Sequence, residues 1–119
     1  YGTESLMAQV EALSHAAARH PGREVWCVAP GVERVEHLRA LRQRLPANIM
    51  LGAMIESRAG LDGVEALRPH CQGFWAGLGD LGEALSAAQN PTEGRETLLG
   101  ALRLLEQAAG ERPVVVCGW

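Results

Sequence analysis

Lysine is absent from this 119-residue sequence: all eleven basic residues are arginine, set against fourteen acidic ones for a formal net charge of -3. We read the arginine bias as base composition of the coding sequence rather than as mechanism. A balance this near neutrality offers no basic face to nucleic acid or to an anionic membrane. No apolar run approaches the ~20 residues needed to cross a bilayer, and no signal peptide is recognisable. Cysteine is scarce and odd in number. Cys27, Cys71 and Cys117 each lie in apolar surroundings, which argues against a disulfide framework and suits a reducing cytoplasm. No CxxC or His/Cys ligand spacing occurs, so structural zinc is not expected. Linkers, low-complexity segments and residue-level repeats are missing too. With 47% apolar and 21% charged residues, the chain has the make-up of one soluble globular domain, large enough for a core but with little margin.

What is present alternates. Leu6, Val10, Leu13 and Ala17 recur at spacings of four, three and four, an amphipathic helix over residues 4–19 that ends at the breakers His20-Pro21-Gly22. The run 25–29 predicts a buried strand stopped by Pro30. Val35, Leu38, Leu41 and Leu45 mark a second helix over 32–45, ended by Pro46, and 49–55 is the second strand. A short helix over 60–67, a strand over 73–78 and a helical segment over 80–88 follow. The loop Gln89-Asn90-Pro91 leads to a helix over 92–109, closed by Gly110, and to a last strand over 114–117. The chain therefore reads as α/β, with about four parallel strands, each preceded by a helix, and right-handed crossovers. Four such strands make a small open sheet or a partial, half TIM barrel. Because the sequence opens on Tyr1 and stops at Trp119 directly after a strand-like run, the expectation is one α/β domain, 1–119, that is a fragment of a larger (β/α)₈ barrel.

Two of the runs end in acids. Leu51-Gly52-Ala53-Met54-Ile55 delivers Glu56, and Gly73-Phe74-Trp75-Ala76-Gly77-Leu78-Gly79 delivers Asp80. Ligands of α/β proteins collect at the carboxyl ends of parallel strands, so the two carboxylates are expected side by side on one rim. Carboxylates brought together repel, and a divalent cation stabilises such a pair. The functional reading is a Mg2+ site with oxygen ligands. A purely structural account fits the same residues: Glu56 caps the next helix or pairs with Arg58, and Asp80 is an N-cap.

Five motifs, in order, carry a resemblance. They are Leu6-Met7-Ala8-Gln9-Val10-Glu11-Ala12-Leu13, Val25-Trp26-Cys27-Val28-Ala29-Pro30-Gly31-Val32, Gly52-Ala53-Met54-Ile55-Glu56, Gly77-Leu78-Gly79-Asp80-Leu81 and Pro113-Val114-Val115-Val116-Cys117-Gly118. The series resembles the C-terminal barrel of the phosphoenolpyruvate-utilising enzymes: enzyme I of the bacterial sugar phosphotransferase system, phosphoenolpyruvate synthase and pyruvate phosphate dikinase. Nearly the whole chain takes part, but it spans only the middle strands of that barrel. The resemblance implies that Glu56 and Asp80 hold the magnesium that bridges phosphoenolpyruvate, and that Cys117 protonates the enolate carbon to give pyruvate. It implies further that Gly79, Asp80 and Arg58 lie against the substrate, and that the protein is a cytoplasmic phosphotransferase, of the transferase and kinase class, that dimerises. Hard oxygen ligands suit magnesium, and a thiol beside a cation can donate a proton near neutral pH.

The departures matter as much. The family's asparagine before the metal aspartate is Gly79, its glutamate after the cysteine-glycine pair is Trp119, a phosphate-binding arginine falls at Asn90, and a methionine falls at Gly31. A trianionic substrate needs several guanidinium contacts. Few are in reach, so the isolated chain is expected to be inactive. A second resemblance is to metal-dependent aldolases and lyases of the 2-keto-3-deoxy acid and citrate lyase β-subunit type, through Ile55-Glu56-Ser57-Arg58-Ala59-Gly60-Leu61, the G-x-x-D-L pattern of Gly77 to Leu81, and Asn90-Pro91. A third reading is a non-catalytic module that keeps the fold for assembly, because open edge strands pair with another copy or with the remainder of the parent barrel. His15, His20, His37 and His70 show no shared spacing and read as surface or capping residues. Trp26 and Trp75 read as core aromatics, and Cys27 and Cys71 as small buried apolar residues; a strand-end core role is open to Cys117 as well.

Overall fold

The computed structural model describes residues 3–86 and 91–118. Helix α1 (Thr3–Arg19) leads to strand β1 (Val25–Ala29), and α2 (Val35–Arg44) to β2 (Ile49–Ile55). Two short helices, α3 (Arg58–Asp62) and α4 (Val64–Leu67), and a 3₁₀ turn Arg68–His70 precede β3 (Gly73–Gly77). Helices α5 (Leu78–Ser86) and α6 (Pro91–Ala109) precede β4 (Val114–Cys117). The four strands form one sheet in the order β1-β2-β3-β4, every neighbour pair parallel. The fold is α/β with alternating strand and helix units, and its sequential order is compatible with a partial barrel.

Strand bounds match the apolar runs closely, whereas helix bounds shift for local reasons. Helix α2 starts at Val35 rather than Val32, because Val32 is fully buried and its N–H donates to the Met54 carbonyl (3.1 Å), which keeps the preceding loop against β2. The expected helix over 60–67 is two helices hinged at Gly63, whose N–H bonds to Ala59 and Gly60 carbonyls before the chain turns. Pro69 then permits only the 3₁₀ turn. Helix α5 begins two residues before its expected start, and the strand before it ends one residue sooner. Residues 87–90 of the expected loop lie outside the described residues.

The two faces of the sheet differ. Ile49, Leu51, Ala53, Ile55, Phe74 and Ala76 point to the face covered by helices and are fully buried, packed with Leu38, Val64, Leu67 and Leu105. Successive strand residues alternate sides, so Trp26, Val28, Met50, Met54, Trp75 and Val115 share the other face. None of these six joins the buried core cluster, and Val115 is 41% exposed. Trp26 and Trp75 meet edge to face there, ring centroids 5.2 Å apart. Both lie on this open face rather than in the helix-covered core expected for them.

Gly52 makes that arrangement possible. A Cβ at this position would overlap the Trp75 ring, and a Cβ at Gly73 would stand 3.3 Å from the Trp26 ring. Replacing Gly52 with Val is expected to displace Trp75 and to cost roughly 1–3 kcal/mol of stability, the usual cost of overpacking. Urea unfolding followed by tryptophan fluorescence checks this; an unchanged midpoint and spectrum would show that Trp75 is not seated over Gly52.

Candidate functional site

All four strands run the same way, so their C-terminal ends open onto one rim. Glu56 follows Ile55, which pairs with Ala76; Gly77 follows Ala76 and pairs with Cys117. Glu56, Gly77 and Cys117 therefore occupy one row across β2, β3 and β4, above Met54, Trp75 and Val115 on the open face. Sequence reasoning singled out both ends of this row and missed its middle.

Glu56 is held in place by main chain. Its Oε2 accepts a hydrogen bond from the Gly31 N–H at 2.8 Å, joining the loop after β1 to the end of β2. Gly31 has φ of +55°, a backbone region that disfavours side chains, so this donor is aimed by a residue whose identity matters. The carboxylate leans over β3: a Cβ on Gly77 would stand 3.0 Å from Glu56 Cγ and 3.2 Å from Oε1. The Glu56 side chain thus fills the space that a side chain at Gly77 would need. The structural roles foreseen for Glu56 go elsewhere. Ser57 caps α3, its Oγ accepting from the Gly60 N–H at 3.0 Å, and the hydrogen bond to Glu56 comes from Gly31 rather than Arg58.

The other sequence-predicted residues distribute around this row. Asp80 is not an N-cap; it is the third residue of α5, exposed in its first turn, where a carboxylate is favoured by the helix dipole. Gly79 beside it is exposed and has open space where a side chain would be. Gly118, at φ +122°, brings the end of β4 against the start of α5, since a Cβ there would lie 3.2 Å from the Leu78 nitrogen. Arg58 is the exposed first residue of α3. Asn90 and Trp119, where the family pattern has an arginine and a glutamate, lie outside the described residues. Gly31, Gly77 and Gly118 were the unrecognised parts of the rim. The signal available for them was a glycine within two residues of a strand's end.

Both acids of the rim are oxygen donors, the type a hard divalent cation takes. Magnesium is commonly held by one or two carboxylates, with water and substrate oxygens completing its shell. Glu56 follows the end of β2, with its Oε1 over Gly77, and Asp80 lies in the first turn of α5, the helix that follows β3. Among the described residues no group of three or more His, Cys, Asp or Glu side chains converges, so these residues offer no closed protein cage. A shallow concavity of about 490 Å³ lined by Arg39, Arg42, Gln43, Pro69, His70 and Gln72 lies at the opposite, N-terminal end of the strands, away from both acids.

The three thiols differ. Burial pushes Cys71 up to about 11, only partly offset by a Gly73 backbone hydrogen bond and by Arg112. Burial also raises Cys27 against the opposing influence of Arg42. Cys117 is half-buried, and its Sγ donates to the Ala76 carbonyl at 3.4 Å. A thiol raised from 9.0 to about 11 contributes stability that is intact below pH 9 and lost as pH climbs toward 11. Denaturant midpoints should therefore fall between pH 9 and 11 in the wild type, and less so in Cys71→Ala. Equal losses in both would show that other groups govern the alkaline limb.

Fold and rim together define an α/β protein with a parallel, sequentially ordered sheet and acids at its C-terminal edge. No protein-family model matches the chain, and no curated protein matches it in sequence. Among solved structures it is similar to RipC from Yersinia pestis, with 26% sequence identity and a TM-score of 0.65 over 86% of this chain and 48% of that one. The chain thus spans about half the length of RipC. No helix among the described residues is long and apolar enough to cross a membrane.

Proposed function

We propose that the rim formed by Gly31, Glu56, Gly77 to Asp80 and Cys117-Gly118 binds a divalent cation, Mg2+ by donor type, together with a small 2-oxo acid of the pyruvate class, as part of chemistry that passes through the enolate of that acid. The observation that carries the reading is the row Glu56, Gly77, Cys117: a carboxylate oriented by the Gly31 N–H and a thiol stand at the ends of β2 and β4, with the Glu56 side chain lying over Gly77 between those strands. A bound cation would supply the positive charge that holds the oxo and carboxylate oxygens. Glu56 would orient that charge, with Asp80 as the second carboxylate. The first N–H groups of α5, at Leu78 and Gly79, would face the substrate's own carboxylate in the manner of a helix N-terminus. Cys117 would return a proton to the enolate carbon.

The absence of lysine bears on the class of chemistry. These 119 residues supply no lysine amine to form an imine with a 2-oxo acid, and metal-assisted enolisation does not need one. Two reactions share such an enolate: phosphoryl transfer from phosphoenolpyruvate, and cleavage or formation of a carbon–carbon bond as in the metal-dependent aldolases and lyases. Cys117 in the row favours the first. Charge favours the second, since the arginines nearest the rim in sequence, Arg34 and Arg58, are few for a trianion but adequate for a carboxylate. On either branch the protein would act in the cytoplasm, and the activity would belong to a complete barrel.

Isothermal titration of Mg2+, then of oxalate and of phosphoenolpyruvate, tests the reading. The account expects oxalate, which mimics the pyruvate enolate, to bind only with metal present, and Glu56→Gln to weaken metal binding by about tenfold or more, one lost carboxylate ligand being worth more than 1.4 kcal/mol. Metal-independent binding, or Glu56→Gln binding as well as the wild type, would remove Glu56 from the site.

A further inference from the structure

We propose that the concavity between α2 and the 3₁₀ turn Arg68–His70, at the N-terminal end of the strands, binds the phosphate group of a small organic phosphate monoester. It lies at the opposite end of the sheet from the rim and is independent of what the rim binds. Its walls come from the middle of the chain: Arg39, Arg42 and Gln43 from the second half of α2, Pro69 and His70 from the turn, and Gln72 from just before β3. They bring two guanidinium groups, an imidazole and two amides, and no carboxylate, in a chain where acids outnumber arginines fourteen to eleven. Among the described residues no carboxylate pairs with Arg39, Arg42 or His70. The helix dipole accounts for Arg42 in the last turn of α2, but Arg39 stands before that turn, where the effect has faded.

Two of these donors are fixed in advance. Nη2 of Arg42 donates to the Pro46 carbonyl at 2.6 Å, which holds the guanidinium at the helix end and leaves its remaining N–H groups for a ligand. Oε1 of Gln72 accepts from the Leu51 N–H at 2.7 Å, while the Gln72 N–H donates to the Leu51 carbonyl, also at 2.7 Å. A main-chain donor thus fixes which end of that amide is oxygen, and the end left over is the Nε2 donor. Donors stand on both sides of the concavity, on α2 and on the crossover from β2 to β3. Phosphate is the group that matches them. It presents three terminal oxygens and close to two negative charges, whereas a carboxylate has two oxygens, enough for one guanidinium fork. Room decides between the free ion and an ester. The volume of about 490 Å³ equals the share of roughly sixteen water molecules at ~30 Å³ each, and it falls in the range of sites that hold whole organic ligands. An inorganic ion would leave most of that space to solvent, while an ester would lay its organic body against Gln43 and Pro69. Beyond Pro69 a second concavity of about 450 Å³ is lined by Arg68, Arg112 and Glu111. Four of the eleven arginines therefore border this end of the sheet and raise the local concentration of anions.

Titration of ribose 5-phosphate, inorganic phosphate and malonate into the isotopically labelled chain, without divalent cation and at fixed ionic strength, tests this through amide chemical shifts. Ribose 5-phosphate is not a 2-oxo acid, and the metal that the rim would need is left out, so the two sites stand or fall separately. The expected result is saturable shifts centred on Arg39, Arg42, His70 and Gln72, with ribose 5-phosphate bound more tightly than inorganic phosphate or malonate. Arg39 is exposed, so Arg39→Gln should keep its circular dichroism while weakening ribose 5-phosphate binding by about tenfold or more, the effect of losing one charge-assisted hydrogen bond. Arg95→Gln, near the start of α6 at the rim end of the sheet, should leave binding unchanged. No saturable shift by about 20 mM, shifts centred elsewhere, or equal binding by Arg39→Gln and the wild type would overturn the proposal. Inorganic phosphate bound as tightly as the ester would overturn the assignment of a monoester, and malonate bound as tightly would overturn that of phosphate.

Discussion

The parallel direction of the four strands is the constraint on which everything else depends. It sends all the strand C-termini to one edge, and it requires each crossover to return over one face of the sheet. The first consequence assembles the rim, since residues separated by more than sixty positions, Glu56 and Cys117, arrive in one row. The second packs the core, because the crossover helices bury the side chains of alternate strand positions while leaving the others uncovered. Rim and open face are two results of one topology.

Within that frame a single hydrogen bond orients the carboxylate of the rim. The Gly31 N–H to Glu56 Oε2 bond ties the β1 loop to the end of β2 and directs the carboxylate over Gly77. The loop is fixed a second time by Val32 bonding to Met54, so the donor does not have to be ordered when a ligand arrives. Preorganisation of this kind is what a metal-assisted site requires, because an acid free to rotate would lose entropy on binding and weaken the ion's hold. Ser57 relieves Glu56 of helix capping, and Glu56 remains available at the strand's end.

Much of this was legible in the sequence, and the failures have physical causes. Short apolar runs bounded by Pro and Gly marked all four strands, three of them at their observed limits, because these strands carry apolar residues on both sides of the pleat. Glu56 and Asp80 could be placed on one edge by that logic alone. Helix starts were less legible, as at Val32, whose N–H is diverted to Met54, a bond that no local pattern reports. Nor did periodicity reveal that Trp26 and Trp75 turn away from the helices, since an apolar strand looks the same whichever face is covered. The partner of Glu56 lies 25 residues upstream and is a backbone amide. It left no side-chain signature beyond the glycine itself.

The most direct test of the account is a titration of the isotopically labelled chain with Mn2+, followed by nuclear magnetic resonance of its backbone amides. The paramagnetic ion broadens amides near its binding site. The account predicts that Gly31, Glu56, Gly79 and Asp80 are lost first, that Mg2+ competes for the effect, and that Ile49 and Gln72 at the far end of the strands stay sharp. Broadening centred away from the C-terminal rim, or spread evenly over the exposed acids, would contradict it.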